Sequence, residues 1–115
     1  MTDITIVVER YIAAWNEADP DRRRALVAEA FSEDAKYLDP LMEGAGTDGI
    51  AEMIGGAQQQ FPGHRFELAE GPDSHHDRVR FAWSLVGESG PVARGIDFAR
   101  TAGDGRLSEV TGFLH

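Results

Sequence analysis

Cysteine is missing from this chain of 115 residues, which excludes disulfide stapling, thiolate-bound zinc and a cysteine nucleophile. The apolar core must hold the fold without covalent help. No apolar run approaches the roughly 20 residues that a membrane-spanning helix needs. Basic residues are scarce: 11 Lys and Arg stand against 20 Asp and Glu, a net charge of -9. Clustered cations are what nucleic acid and anionic membranes require, so neither is an expected partner. The start, Met1-Thr2-Asp3-Ile4, lacks the basic end and continuous apolar stretch of a secretory signal, and the cytoplasm is the simplest location. His75 and His76 are adjacent, so they diverge on a strand or sit in a loop, without the spacing of a metal-ligand pair. His64 opens a strand after a Pro-Gly turn, either exposed or at a pocket rim. The Gly44 to Gly49 region has no Lys-Ser or Lys-Thr after it, and no glycine cluster joins strand, tight turn and helix as a dinucleotide site needs. Neither metal nor cofactor is expected.

The length suits one domain spanning residues 1–115 with a single core. Ile4, Val7, Val8, Tyr11, Ile12, Trp15 and Ala18 recur at helical spacing, with Thr2 or Asp3 as cap. Asp19-Pro20 restarts the chain as a second helix, with Leu26, Val27, Ala30 and Phe31 on its apolar stripe. The run Arg22-Arg23-Arg24 reads as a solvated face of that helix. A short strand from Ala35 to Asp39 ends at Pro40. A glycine loop then leads to a third helix capped by Thr47 and carrying Ile50, Met53, Ile54, Ala57 and Phe61.

Beyond Phe61-Pro62-Gly63 the apolar period falls to 2. His64, Phe66 and Leu68 alternate with Arg65 and Glu67, and Val79, Phe81, Trp83 and Leu85 alternate with Arg80, Ala82 and Ser84. Two further strands, Val92 to Thr101 and Arg106 to Leu114, are joined by the hairpin signal Gly103-Asp104-Gly105. Early helices and late strands predict an α+β fold: a cone-shaped domain with three N-terminal helices packed on a curved, mostly antiparallel sheet that encloses a pocket. In the Val92 strand, Ile96 and Phe98 point one way while Ala93, Gly95, Asp97 and Ala99 point the other. Small neighbours leave volume beside the acid. The apolar side needs a cover, and a second copy of the chain supplies it, so a homodimer through the outer sheet face is expected.

Tyr11, Asp39 and Asp97 stand out, because each is placed where this architecture turns it inward and a buried carboxyl is costly without a partner. Each also has a plain structural reading. Tyr11 suits a core with its hydroxyl paired to backbone, Asp39 before Pro40 suits a turn start, and Asp97 suits a pair with Arg94 or Arg100. Trp15, Tyr37, Met53, Phe66, Trp83 and Phe113 are candidates to line a pocket for a small apolar ligand, and Met53, Phe66, Trp83 and Phe113 read equally as core.

The segments Arg10-Tyr11-Ile12-Ala13-Ala14-Trp15-Asn16, Tyr37-Leu38-Asp39-Pro40, Gly95-Ile96-Asp97-Phe98 and Asp104-Gly105-Arg106-Leu107, in that order, resemble the nuclear transport factor 2-like superfamily. That group includes ketosteroid isomerases, limonene epoxide hydrolase and the SnoaL-type polyketide cyclases. The similarity to ketosteroid isomerase implies Tyr11 as an oxyanion donor, Asp39 as the base and Asp97 as a protonated acid. No second tyrosine stands in helix three, and the stretches Phe61 to Leu68 and Asp73 to Asp77 look closer to the SnoaL-like group. The resemblance thus implies a cofactor-independent isomerase or cyclase acting beside a carbonyl. The alternatives are a non-catalytic module binding a small ligand or a partner, and an epoxide hydrolase using Asp97, Arg94 and Asp39. A regular pleat disfavours the last, because it places Arg94 and Asp97 on opposite faces.

Overall fold

The computed structural model describes residues 3–115. Three helices, α1 (Ile4–Asn16), α2 (Pro20–Ala30) and α3 (Gly46–Gln60), pack on one sheet. Its strands are β1 (Phe31–Leu38), β2 (Glu43–Ala45), β3 (Arg65–His75), β4 (Arg78–Gly87), β5 (Gly90–Thr101) and β6 (Leu107–Leu114), in the spatial order β2-β1-β6-β5-β4-β3. Among the described residues only β1 and β6 run parallel, and every other neighbouring pair is antiparallel. The α+β fold with a mostly antiparallel, curved and unclosed sheet is the one anticipated from the residue pattern. None of the helices is long and apolar enough to cross a membrane among the described residues.

Local chemistry accounts for the helix starts. Asp3 accepts a bond from the Thr5 amide at 2.8 Å, while the other expected cap, Thr2, lies outside the described residues. Asp19 caps α2 by accepting from the Arg22 amide at 2.9 Å, with Pro20 in the first turn. Helix α3 differs from expectation. It begins at Gly46 with Ala45 as an uncapped N-cap, so Thr47 lies inside the first turn, and the preceding glycine stretch forms the short strand β2. Helix α1 stops at Asn16, leaving Ala18 beyond it and exposed.

Phe31 opens β1 instead of closing α2. The strand starts four residues before Ala35 because its register with β6 jumps from Phe31↔Leu107 to Lys36↔Glu109. A bulge there suspends the inward–outward alternation, and the pattern becomes regular only at Ala35 and Tyr37. Strand β3 also outruns its apolar pattern and reaches His75, as an edge strand with two register shifts and Pro72.

Arg23 departs most from its expected place. It is buried, 9% exposed. Its Nε donates to the Glu17 carbonyl at 3.0 Å, and its Nη2 donates to the Ala18 carbonyl at 3.1 Å and to Gln58 Oε1 at 2.9 Å. Gln58 in turn donates to the Trp15 and Glu17 carbonyls. The pair satisfies the carbonyls that the end of α1 leaves open, and a positive charge there suits the helix dipole. Gly55 makes this possible, since a Cβ on it would stand 2.7 Å from Arg23 Nη1. Arg22 and Arg24 remain exposed, as expected. Arg23→Ala is expected to destabilise the protein by about 2–4 kcal/mol, through lost charge-assisted bonds and stranded carbonyls. A shift in the urea unfolding midpoint measures it, and an unchanged midpoint would show the clamp to be idle.

Candidate active site

The inner face of the sheet and helices α1 and α3 surround an apolar cavity of about 110 Å³. Its walls include Ile12 and Trp15 from α1, Phe66 from β3, Trp83 and Leu85 from β4, and Ala93 from β5, with Leu41 and Phe61 also lining it. Ring contacts tie the wall together: Trp15 meets Tyr37 at 5.5 Å and Phe66 at 5.1 Å, and Phe66 meets Trp83 at 5.4 Å between centroids. Asn16 sets the position of Phe66. Its side-chain amide donates to the Phe66 carbonyl at 2.9 Å and accepts from the Phe66 N–H at 2.7 Å, stitching α1 to the start of β3.

Polar groups converge at one end. Tyr11, on the buried stripe of α1 and 2% exposed, donates its hydroxyl to Asp97 Oδ2 at 2.6 Å. Trp83, paired across the sheet with Gly95, donates Nε1–H to Asp97 Oδ1 at 3.1 Å. Gly95 permits this reach, because a Cβ on it would stand 2.2 Å from the Trp83 ring. Asp97 is 1% exposed and has no cationic partner among the described residues. Burial drives its pKa up, the bonds from Tyr11 and Trp83 pull it back and the Asp39 charge adds to the rise, leaving it at about 6.

A second acid and phenol lie beside the first. Asp39 follows β1, and its Oδ1 accepts from the Leu41 and Met42 amides at 2.8 and 2.9 Å, the turn-start geometry of an aspartate before proline. Its Oδ2 accepts from the Tyr37 hydroxyl at 2.5 Å. Gly112 lets the two pairs approach. A Cβ at that position would stand 2.8 Å from Asp97 Oδ1, 3.2 Å from Asp39 Cβ and 3.5 Å from the Tyr37 oxygen. Both phenols are held protonated. Burial, then the Asp97 charge, raises the pKa of each well above the usual tyrosine value; for Tyr11 the nearby Trp15 N–H works weakly in the opposite direction. They are hydrogen-bond donors at any physiological pH.

Tyr11, Asp39 and Asp97 thus meet at one cavity, with Trp15, Tyr37, Phe66 and Trp83 among its lining residues. Met53 and Phe113 do not. Met53 packs against the core from α3 and borders a separate groove beside Glu43 and Gly49. Phe113 falls on the outer sheet face, exposed and in ring contact with Phe98 at 5.9 Å, because Val110 and Gly112 are the inward positions of β6. Arg94 is likewise exposed on the outer face, opposite to Asp97 in the pleat. His64 packs over Gly87, with Nδ1 3.0 Å from the Pro62 carbonyl, and is not among the cavity residues. No group of three or more potential metal ligands occurs among the described residues. The sequence reading missed Trp83 and Tyr37 as polar partners and missed Gly95 and Gly112 as spacers. Glycines inside strands are the signal that marks such close approaches.

Solved structures share this architecture. A proposed isomerase of the SnoaL-like family from Agrobacterium tumefaciens strain C58 is 47% identical, with a TM-score of 0.93 over 100% of this chain and 99% of its own. A proposed polyketide cyclase from Sinorhizobium meliloti is 18% identical, with a TM-score of 0.71 and 92% of each chain covered. An NTF2-like protein of unknown function from Mesorhizobium loti is 23% identical, with a TM-score of 0.73 over 97% of this chain and 90% of its own. At their identities the last two bear on the fold alone. No protein with a curated description matches the sequence. The SnoaL-like domain model matches residues 8–110, a span that takes in both acid–phenol pairs, and the chain belongs to that SnoaL-like family of the NTF2-like fold.

Proposed function

We propose that the protein is a cofactor-independent isomerase or cyclase that moves a proton beside a carbonyl group of a small apolar molecule. One observation carries this reading: the buried Asp97 carboxyl, gripped by a phenol and an indole with no cation, stands at the head of an apolar cavity bordered by a second carboxylate. Removing a proton next to a carbonyl produces an enolate, and preset donors in a dry site stabilise its oxygen. Asp39, oriented by Tyr37 and by the Leu41 and Met42 amides, takes the carbon proton. Tyr11, turning its single proton from Asp97 to the guest, and protonated Asp97 donate to the oxygen. With its pKa at about 6, Asp97 stands within reach of neutrality, and a guest that displaces water from the cavity raises it further. The proposed isomerase activity of the relative at 47% identity supports the same class of chemistry.

The test is exchange of α-protons in D2O, followed by proton NMR for a panel of small ketones and enones. Accelerated exchange supports the reading. Binding across the panel without exchange would replace it with a non-catalytic binding module of the same fold.

A second copy of the chain belongs to this proposal. Phe98 and Phe113 are among the most exposed large apolar side chains and share the outer face of β5 and β6, where dimerisation would cover them. Phe98→Glu is expected to convert the dimer to a monomer in sedimentation equilibrium. A wild-type protein that sediments as a monomer ends this part of the proposal.

A further inference from the structure

We infer that the occupant of the cavity is an uncharged carbonyl compound about one ring in size, whose oxygen is received by the Trp15 indole N–H beside the Tyr11 hydroxyl. The inference rests on the reading of the cavity as a carbonyl site and adds which molecules enter it and what grips them. Hydrogen-bonding capacity at the polar end is one-sided. Both Asp97 oxygens accept bonds, from Tyr11 and Trp83, and both Asp39 oxygens accept bonds, from Tyr37 and two amides. The unused group is a donor. Trp15 Nε1 is buried and makes no well-formed hydrogen bond among the described residues, its N–H acting only weakly on the nearby Tyr11 oxygen, on a cavity-lining side chain only 6% exposed. Stranded buried donors are costly, and a ligand oxygen that receives the Tyr11 proton in place of Asp97 stands beside this N–H too.

Charge narrows the class. No Lys, Arg or His lines the cavity among the described residues, whereas Asp39 and Asp97 do. A carboxylate or phosphate would meet repulsion and no counter-ion. A cation would give up its hydration to an apolar wall for only the lone pairs that Tyr11, Trp83, Tyr37 and the two amides leave over. Size narrows it again: an apolar cavity of about 150 Å³ takes benzene, and this one is about 110 Å³, enough for most of one ring with the remainder in the mouth beside Leu41 and Phe61. Most of a fused four-ring skeleton would lie outside it.

The chain has two tryptophans, so its two indole N–H signals in a proton–nitrogen correlation spectrum can be assigned with Trp15→Phe. Cyclohex-2-enone is expected to bind and to move the Trp15 signal downfield, while cyclohexene, which lacks the acceptor, does not move it downfield. Trp15→Phe should weaken the enone about tenfold and leave cyclohexene within about twofold. Cyclohexene-1-carboxylate, cyclohexylammonium and a four-ring enone should each bind at least about tenfold more weakly than cyclohex-2-enone. The inference is overturned if the enone does not bind, if the Trp15 signal stays in place at saturation, or if any of those three probes binds as tightly. The wild-type spectrum answers the question even if Trp15→Phe folds poorly. An enone that moves the Trp15 signal without exchanging its α-protons ends the isomerase reading and leaves this inference standing. Exchange with an unmoved signal does the reverse.

Discussion

Asp97→Asn is expected to unfold at higher urea concentration than the wild type at pH 8, by about 2–3 kcal/mol of stability, and to lose that advantage by pH 4. The sign follows from the direction of the shift. In the folded protein the Asp97 pKa stands at about 6, above its model value of 3.8. Below the lower value both states hold the proton. Between the two, the folded chain keeps a proton that the unfolded chain has released, so rising pH favours unfolding. Above the higher value the folded state carries a buried charge, which asparagine lacks, its oxygen accepting from Trp83 and its amide donating to the Tyr11 oxygen. Equal unfolding midpoints at pH 8 would mean that burial does not burden this carboxyl. The same variant separates roles in proton exchange: an amide can still donate to an enolate oxygen, so Asp97→Asn should retain more activity than Asp97→Ala. Equal losses would contradict the donor role.

The largest loss of activity is expected from Asp39→Asn, about 10²- to 10⁴-fold in α-proton exchange, the usual worth of a positioned base. Stability should change little. An asparagine oxygen still accepts from the Leu41 and Met42 amides that now bind Asp39 Oδ1, so the loop after β1 keeps its shape. That combination of an intact fold and lost exchange distinguishes a base from a turn-forming aspartate. Exchange rates within about threefold of wild type would assign Asp39 to the turn alone and shift the base role elsewhere in the cavity.

Much of the architecture was legible because it is written in local periodicity. The stripe through Val7, Val8, Tyr11 and Trp15 has one helical solution, and all four are buried. The alternation in β5 has one pleated solution, with Gly95, Asp97 and Ala99 inward and Phe98 outward. Where periodicity was interrupted, the boundaries moved. The bulge after Phe31 concealed the first half of β1, and a glycine stretch without an apolar pattern concealed β2. Arg23 went inward against its composition because nearby carbonyls at the end of α1 needed donors, a demand visible only after the helices are packed.

The sequence by itself determined the fold class and the acids and phenols available to a site, since period and residue type are properties of neighbouring positions. Partnership was decided by the tertiary structure. Tyr11 meets Asp97 across 86 positions of chain, and Tyr37 with Asp39 joins them only where Gly112 leaves no side chain between. The raised pKa of Asp97 and the stranded N–H of Trp15 arise from the loss of water around each group, and water is lost only when distant segments close over one cavity.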